Sequence, residues 1–213
     1  MKRIFKISLL KVLIGILPIV IVSTIFTYTV SASTLNLLGV GWDKTEVTYL
    51  IKKGKNVTDG SVEDVEDAID NWNAALAEKF TGLTLVPAPV GARKADIVIQ
   101  LKVGGGAVLG QALPKTVSSF SCELKSVSIQ LSGKAFGQNF SNAGTRNVAR
   151  HELGHALGLG HSDDLNDLMY ASAESSDIFG DVDQPISECD KQGLDDIYPL
   201  PPNCNIPDST DCP

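Results

Sequence analysis

One run of the sequence constrains the fold more than any other, because it holds every histidine of the chain. The chain of 213 residues contains 3 histidines, and these are His151, His155 and His161 of the run HELGHALGLGH. Residues four apart on an α-helix emerge on the same face about one turn apart, so His151 and His155 can bind one metal ion. Gly158 is predicted to end that helix in a left-handed turn, which brings His161 back as a third ligand.

This ligand set predicts a catalytic metal site. Three protein ligands leave the fourth position of a tetrahedral zinc ion open, whereas structural zinc sites use four. Glu152 lies about 100° round the helix from His151, so it cannot ligate with the histidines but can act as a general base. We therefore expect one catalytic Zn²⁺ and a hydrolytic reaction with Glu152 as base. The alternative from another class is a non-catalytic zinc-binding surface or adhesion module, which would need no base there.

The N-terminal residues indicate export from the cytoplasm. A basic start is followed by an apolar stretch over residues 12–30, and Val30 and Ala32 fit a signal-peptidase site with cleavage after Ala32. The alternative for residues 1–32 is an uncleaved signal anchor, because the stretch approaches the ~20 residues that span a bilayer. In both cases the remaining domain is expected to be secreted or exposed at the cell surface, with a membrane as partner only if the segment is retained.

Charge and cysteine content agree with an exported protein. The net charge is −7, and removing the four basic residues of the leader leaves −11 for residues 33–213. Such an acidic chain is not expected to bind nucleic acid. The 4 cysteines are an even number in an exported chain and predict disulfides, with three possible pairings left open; they are Cys122, Cys189, Cys204 and Cys212.

Hydrophobic patterning predicts an α+β domain over residues 33–199 and an irregular Pro- and Cys-rich tail over 200–213. Strands are predicted at residues 45–51, 83–90, 95–101, 107–112 and 126–131. Helices are predicted from Asp59 or Ser61 to about Phe80, from Thr145 or Asn147 through the histidine run, and from Ser187 to about Tyr198. These elements do not alternate strictly enough for a doubly wound fold.

At the histidine run the chain resembles the metzincin zinc proteases, and within them the matrixins, the catalytic-domain family of the matrix metalloproteinases. Met169 in the segment DLMY resembles the methionine of the turn beneath the metal, and Ser162 is the residue that matrixins place after the third histidine. The resemblance implies a zincin-like fold, with a twisted mixed five-stranded sheet, three helices and a metal cleft. It also implies endopeptidase activity on extracellular proteins or peptides.

The resemblance further implies residues that bind substrate. Leu109 and Gly110 in the segment AVLGQA resemble the edge strand that pairs with the peptide backbone, and Tyr170 follows the methionine beside the specificity pocket. The sequence also departs from the family. Gln111 stands where a ligand of a second, structural zinc would be, and no further histidine exists. Calcium is a further expectation of the family, but no ligand loop in the sequence supports it.

The tail contains a segment, PNCNIPD, with the spacing of the family's cysteine switch but without its Arg and Gly. Two hypotheses follow for Cys204. The even cysteine count favours a disulfide-bonded tail, and the alternative is a Cys204 thiolate that caps the zinc.

Overall fold

The computed structural model describes residues 33–104, 108–118, 120–201 and 203–213, so the predicted leader over residues 1–32 lies outside it. The described elements are, in chain order, β1 (Thr34–Leu37), β2 (Glu46–Lys53), α1 (Asp59–Glu78), β3 (Thr84–Pro87), β4 (Ile97–Lys102), β5 (Gly110–Thr116), β6 (Leu124–Ser132), β7 (Lys134–Ala135), β8 (Gln138–Asn139), α2 (Asn142–Ala156), β9 (Leu159–Ser162), α3 (Ser175–Phe179), α4 (Glu188–Ile197) and β10 (Ser209–Asp211). The predicted α+β class is confirmed.

The main sheet has five strands in the order β3-β2-β4-β6-β5, which confirms the expected mixed five-stranded sheet. Four strands run parallel, and β5 pairs antiparallel with β6 at one edge. Ile97, Ile99 and Ile129 are fully buried at alternating positions of the central strands, as the period of two in a strand requires. The three predicted helices are present as α1, α2 and α4, and the described residues add the short α3.

Strand β5 covers Gly110–Thr116, so it begins and ends later than the strand predicted over residues 107–112. It continues through Pro114. Proline has no N–H to donate and is confined to edge strands or bulges. The amide of Ser132 donates to the Leu109 carbonyl, so alternation along an antiparallel pair turns the backbone groups of Gly110, Ala112 and Pro114 away from β6. Pro114 therefore costs β5 no bond to its neighbour.

Helix α2 starts one turn earlier than predicted from Thr145 or Asn147. Ser141 is its N-cap and accepts a hydrogen bond from the amide of Gly144 at 2.9 Å. The same residue is held in place by α3, because its amide donates to the Ile178 carbonyl at 3.0 Å. The N-cap of α1 is Thr58, one residue before the first predicted cap, Asp59. Ser187 caps α4, as predicted.

Both tryptophans of the chain hold α2 against the core. Trp72 on α1 donates its indole N–H to the Arg150 carbonyl at 2.8 Å, and Trp42 donates to the Ala156 carbonyl at 2.9 Å. Both side chains are buried, where an unpaired indole N–H would be costly. The helix that carries two histidines is thus fixed at its middle and at its end.

The prediction of an irregular tail is wrong in part. Residues of β10 pair antiparallel with β1, and β1 pairs antiparallel with β9, in a second sheet of three strands. Cys189 pairs with Cys212 and Cys122 with Cys204, which resolves the open connectivity. Cys204 is therefore a disulfide partner in the structure, and the hypothesis that its thiolate caps a zinc is contradicted. Among the described residues, no helix is long and apolar enough to cross a bilayer.

Candidate metal centre and cleft

Two of the three histidines lie one turn apart on α2, with their ring centroids 4.7 Å apart. The Nδ1 atom of His151 lies 2.8 Å from the Leu168 carbonyl, and that of His155 lies 2.9 Å from the Leu159 carbonyl. Because a carbonyl oxygen only accepts, each Nδ1 carries the proton and each Nε2 keeps its lone pair. This is the tautomer in which a histidine coordinates a metal through Nε2.

The third histidine comes from β9, after a sharp turn at Gly158. Gly158 has φ of 100°, and a Cβ atom there would lie 2.2 Å from the Val40 carbonyl oxygen, so the turn needs glycine for both conformation and space. The His161 ring centroid lies 5.4 Å from that of His151 and 4.8 Å from that of His155. The predicted turn at Gly158 is present.

The three imidazoles fit a zinc ion. One ring nitrogen from each of His151, His155 and His161 lies within 4.8 Å of the other two, and tetrahedral zinc with Zn–N bonds of ~2.0–2.1 Å needs about 3.3 Å between them. Burial lowers the pKa of His155 and of His161, and burial together with the neighbouring His155 lowers the pKa of His151 to about 4. Neutral imidazole is the form that binds metal.

Glu152 lies beside the histidines with its carboxylate in the cleft. Its side chain is only 6% exposed, and burial raises its pKa to about 7, against a hydrogen bond from the Ala112 amide that lowers it. The Oε2 atom is buried and has no hydrogen-bond partner among the described residues. An orphaned carboxylate oxygen at such a place is costly, and it is explained if a water or substrate group occupies the cleft.

Met169 forms the floor below the C-terminal part of α2. It is fully buried, and a Cβ atom on Gly154 would lie 2.4 Å from its sulfur, so the side chain packs directly against the helix between the two histidines. The Met169 carbonyl accepts a hydrogen bond from the Ser162 amide at 2.9 Å. The neighbouring Leu168 carbonyl orients His151. The segment therefore contacts both parts of the chain that carry ligands.

The cleft is about 560 Å³ and runs between β5 and the histidines. Leu109, Gly110 and Tyr170, the residues expected to bind substrate, all line it. A Cβ atom on Gly110 would lie 2.5 Å from Oε1 of Glu152, so the lack of a side chain there lets the carboxylate approach the strand. The structure thus brings together Glu152, the three histidines and the edge of the sheet.

Sequence reasoning missed one wall of the cleft. Asn147, Val148, Ile178 and Gln184 line it with the histidines. Asn147 donates to the Asp177 and Val182 carbonyls and accepts from the Gln184 amide, which ties α2 to α3 and to the segment after it. Asn147 lies four residues before His151, so helical spacing could have placed it on the same face; the loop residues had no comparable signal.

A second set of ligand-type side chains does not form a metal site. Asp167, Cys189 and Cys212 lie close together, but the two cysteines form a disulfide, so neither sulfur is a thiolate that could bind a metal.

The cleft thus joins three histidines, a buried glutamate, a buried methionine and a sheet edge in one α+β domain, an arrangement typical of the metzincin class of zinc proteases. Comparison with known proteins shows which proteins the chain is similar to. Residues 125–199 match the matrixin family model. The chain is 31% identical over 173 residues to stromelysin-1 of Equus caballus, which covers 76% of this chain and 33% of that protein.

Two further relatives are similar to the chain at comparable identity. Interstitial collagenase of Bos taurus is 31% identical over 169 residues, covering 74% of this chain and 32% of that protein. Matrix metalloproteinase-27 of Homo sapiens is 27% identical over 178 residues, covering 74% and 30%. The chain spans about a third of the length of these relatives. It carries a matrixin-like catalytic domain.

Proposed function

We propose that the chain is a zinc-dependent endopeptidase that hydrolyses peptide bonds of extracellular proteins or peptides. The observation that supports this most is the convergence in one cleft of three neutral imidazoles, one buried carboxylate and the edge of a sheet. A purely structural metal site would need neither the carboxylate nor the strand. The resemblance to matrixins supports the same reaction class.

His151, His155 and His161 would hold one zinc ion through Nε2. A zinc ion held by three protein ligands supplies a Lewis acid and lowers the pKa of water at its open position. The Leu168 and Leu159 carbonyls orient two of the imidazoles, so rotation of these rings away from the metal would break a buried hydrogen bond. This support reduces the reorganisation that binding would otherwise require.

Glu152 would act as the general base and then as the acid that protonates the leaving amine. Its pKa near 7 suits both directions of proton transfer at neutral pH, because a general base works best when its pKa is close to the operating pH. The unpartnered Oε2 atom is available to the attacking water, and the carboxylate lies close to β5 because Gly110 has no side chain. Glu152 thus lies beside the edge strand with one carboxylate oxygen that has no partner among the described residues.

The edge of β5 would bind the substrate backbone. The backbone groups of Gly110 and Ala112 face away from β6, and β5 has no second neighbour in the sheet among the described residues. An extended peptide can add to such an edge as a further strand. Gly110 lies against Glu152, so a peptide paired there would present a carbonyl group near the carboxylate.

The proposal is tested with Glu152→Gln, which keeps the size of the side chain and removes the base. We expect chelator-sensitive cleavage of casein and of a peptide library by the wild type, and a loss of about 10²- to 10⁴-fold in kcat for the variant. Zinc content by metal analysis is expected to be equal in both proteins. The matched control is Glu63→Gln on the exposed side of α1, which should cleave as the wild type does. Equal, negligible rates for all three would instead support a non-catalytic zinc-binding module.

A further inference from the structure

The strands β7 and β8 form a small hairpin whose tip is the pair Phe136 and Gly137. The strands pair through Lys134 with Asn139 and through Ala135 with Gln138, so Phe136 and Gly137 form a two-residue turn. Both have positive φ, 49° and 84°. Two-residue turns of this kind strongly favour Asn-Gly or Asp-Gly, since Asn and Asp tolerate the left-handed conformation far better than bulky residues do.

Phenylalanine at this turn is unfavourable on two counts. Its backbone is in a conformation that costs an aromatic residue free energy, and its side chain is 75% exposed. Neither local conformation nor packing in the core therefore accounts for it. Strain and exposure of an aromatic side chain at one place suggest a role in binding.

The position of the hairpin indicates what Phe136 would contact. Phe136 lines the same cleft as Gly110, His151 and Glu152. Ser132, just before the hairpin, donates its hydroxyl to the Val108 carbonyl at 2.9 Å and its amide to the Leu109 carbonyl. The hairpin is therefore anchored beside the N-terminal end of β5, at one end of the cleft.

Val108 supplies a second exposed apolar side chain at that end. It also lines the cleft and is 63% exposed. It precedes Gly110 by two residues, which corresponds to about 6.6 Å along an extended strand. A peptide that pairs with β5 near Glu152 would carry a side chain to this place about two residues from the scissile bond.

We propose that Phe136 and Val108 form a specificity site that takes an apolar side chain of the peptide substrate, on one side of the scissile bond. The inference rests on the proposed function, because it uses the same cleft and the same strand addition. The occupant is a substrate side chain because the two apolar groups continue the edge that would bind the backbone.

The test uses Phe136→Asn, which removes the aromatic ring and supplies the residue that the turn prefers. Ten-residue peptides sharing the preferred scissile bond from a library digest carry Leu or Ser at each flanking position in turn. We expect the wild type to favour Leu over Ser roughly tenfold in kcat/KM at one position. In Phe136→Asn the Leu-to-Ser ratio of kcat/KM at this position falls to about one, and the ratios at the other positions stay as in the wild type. The midpoint of thermal unfolding is unchanged or higher.

Phe80→Asn is the matched control. Phe80 also has positive φ, 52°, and is 92% exposed, but it follows α1 and does not line the cleft. The same substitution there should relieve the turn and leave peptide preference unchanged. An unchanged Leu-to-Ser ratio in Phe136→Asn would overturn the inference, as would a change in oligomeric state by light scattering without a change in that ratio.

A binding measurement separates this inference from the proposed function. Fluorescence anisotropy with the zinc-loaded Glu152→Gln protein gives the ratio of Kd values for the Leu and Ser peptides without turnover. If the wild type cleaves nothing, the proposed catalysis fails, yet the Phe136 site is still tested by this ratio on ten-residue peptides of one fixed sequence that carry Leu or Ser at each position in turn. A ratio that Phe136→Asn leaves unchanged would reject the site even if cleavage is normal.

Discussion

At the scale of single residues, Asp190 couples the stability of the domain to pH. Its side chain is fully buried at the start of α4, where it accepts a hydrogen bond from the Ser187 amide. Burial raises its pKa to about 6, so the folded protein keeps a proton between about pH 4 and pH 6 that the unfolded chain has released. The free energy of unfolding contributed by Asp190 therefore falls as the pH rises through this window.

We expect Asp190→Asn to remove this dependence, because the amide resembles the protonated acid and does not titrate. The free energy of unfolding is measured by urea denaturation of both zinc-saturated proteins at pH 4 and at pH 6.5. The difference in this free energy, variant minus wild type, should be about 2 to 3 kcal/mol larger at pH 6.5 than at pH 4. Stability curves that run parallel over this range would mean that folding does not raise the pKa of Asp190. The difference between proteins cancels the titration of groups common to both.

At the scale of elements, α2 packs closely against the Met169 segment below the histidines. Gly154→Ala would place a Cβ atom 2.4 Å from the Met169 sulfur and 3.1 Å from Trp72. Overpacking of a core costs about 1 to 3 kcal/mol, and here the displaced side chain lies between two histidines of the same helix.

We therefore expect Gly154→Ala to lower the free energy of unfolding by about 1 to 3 kcal/mol and to weaken zinc binding in competition with a chromogenic chelator. Gly133→Ala is the control, because the nearest atom to its Cβ is the Lys102 carbonyl oxygen at 3.7 Å. Wild-type stability and zinc affinity in Gly154→Ala would show that the segment can move aside without cost.

The elements that sequence patterns predicted are those whose signal is local. Strand β4 and helix α1 have a clear period over six residues or more, and the histidine spacing places two ligands on one helix face. The cleft wall beyond Asn147 and the start of α2 at Ser141 depend on contacts with residues near Ile178. Such contacts between distant parts of the chain leave no periodic trace.

Strands β1 and β10 were missed for the same reason. They have four and three residues, too few for alternation to be distinguished from chance. Their pairing joins Leu35 to Thr210 across nearly the whole described chain. The even number of cysteines predicted disulfides, but which cysteines meet depends on this long-range pairing.

At the scale of the whole molecule, the disulfide between Cys189 and Cys212 fastens the tail to α4 next to β10. The tail strand in turn holds β1, and β1 pairs with β9, which carries His161. The side-chain amide of Asn36 also donates to the His161 carbonyl at 3.1 Å. Strands β1 and β10 thus stabilise the position of β9, the strand that carries His161.

Replacing Cys189 and Cys212 together by Ser is expected to lower the free energy of unfolding by about 3 kcal/mol, from the loop that the bond closes. Hydrogen exchange should also become faster at Leu35 and Thr210, because β10 loses its covalent anchor. The comparison is Cys122→Ser with Cys204→Ser, which should destabilise the domain but retain slower exchange in β10. Equal exchange at these amides in both double variants would contradict a role for the Cys189 bond in holding the tail.

The central claim is that one zinc ion, held by the three histidines, is required for peptide hydrolysis. The most direct test removes metal from the protein with a chelator and then follows peptide cleavage as Zn²⁺ is added back. The rate is expected to rise from zero and to reach a plateau at one equivalent of zinc, and His161→Ala should fail to reach it. Cleavage that persists after metal removal, or a plateau only at two equivalents, would contradict the account.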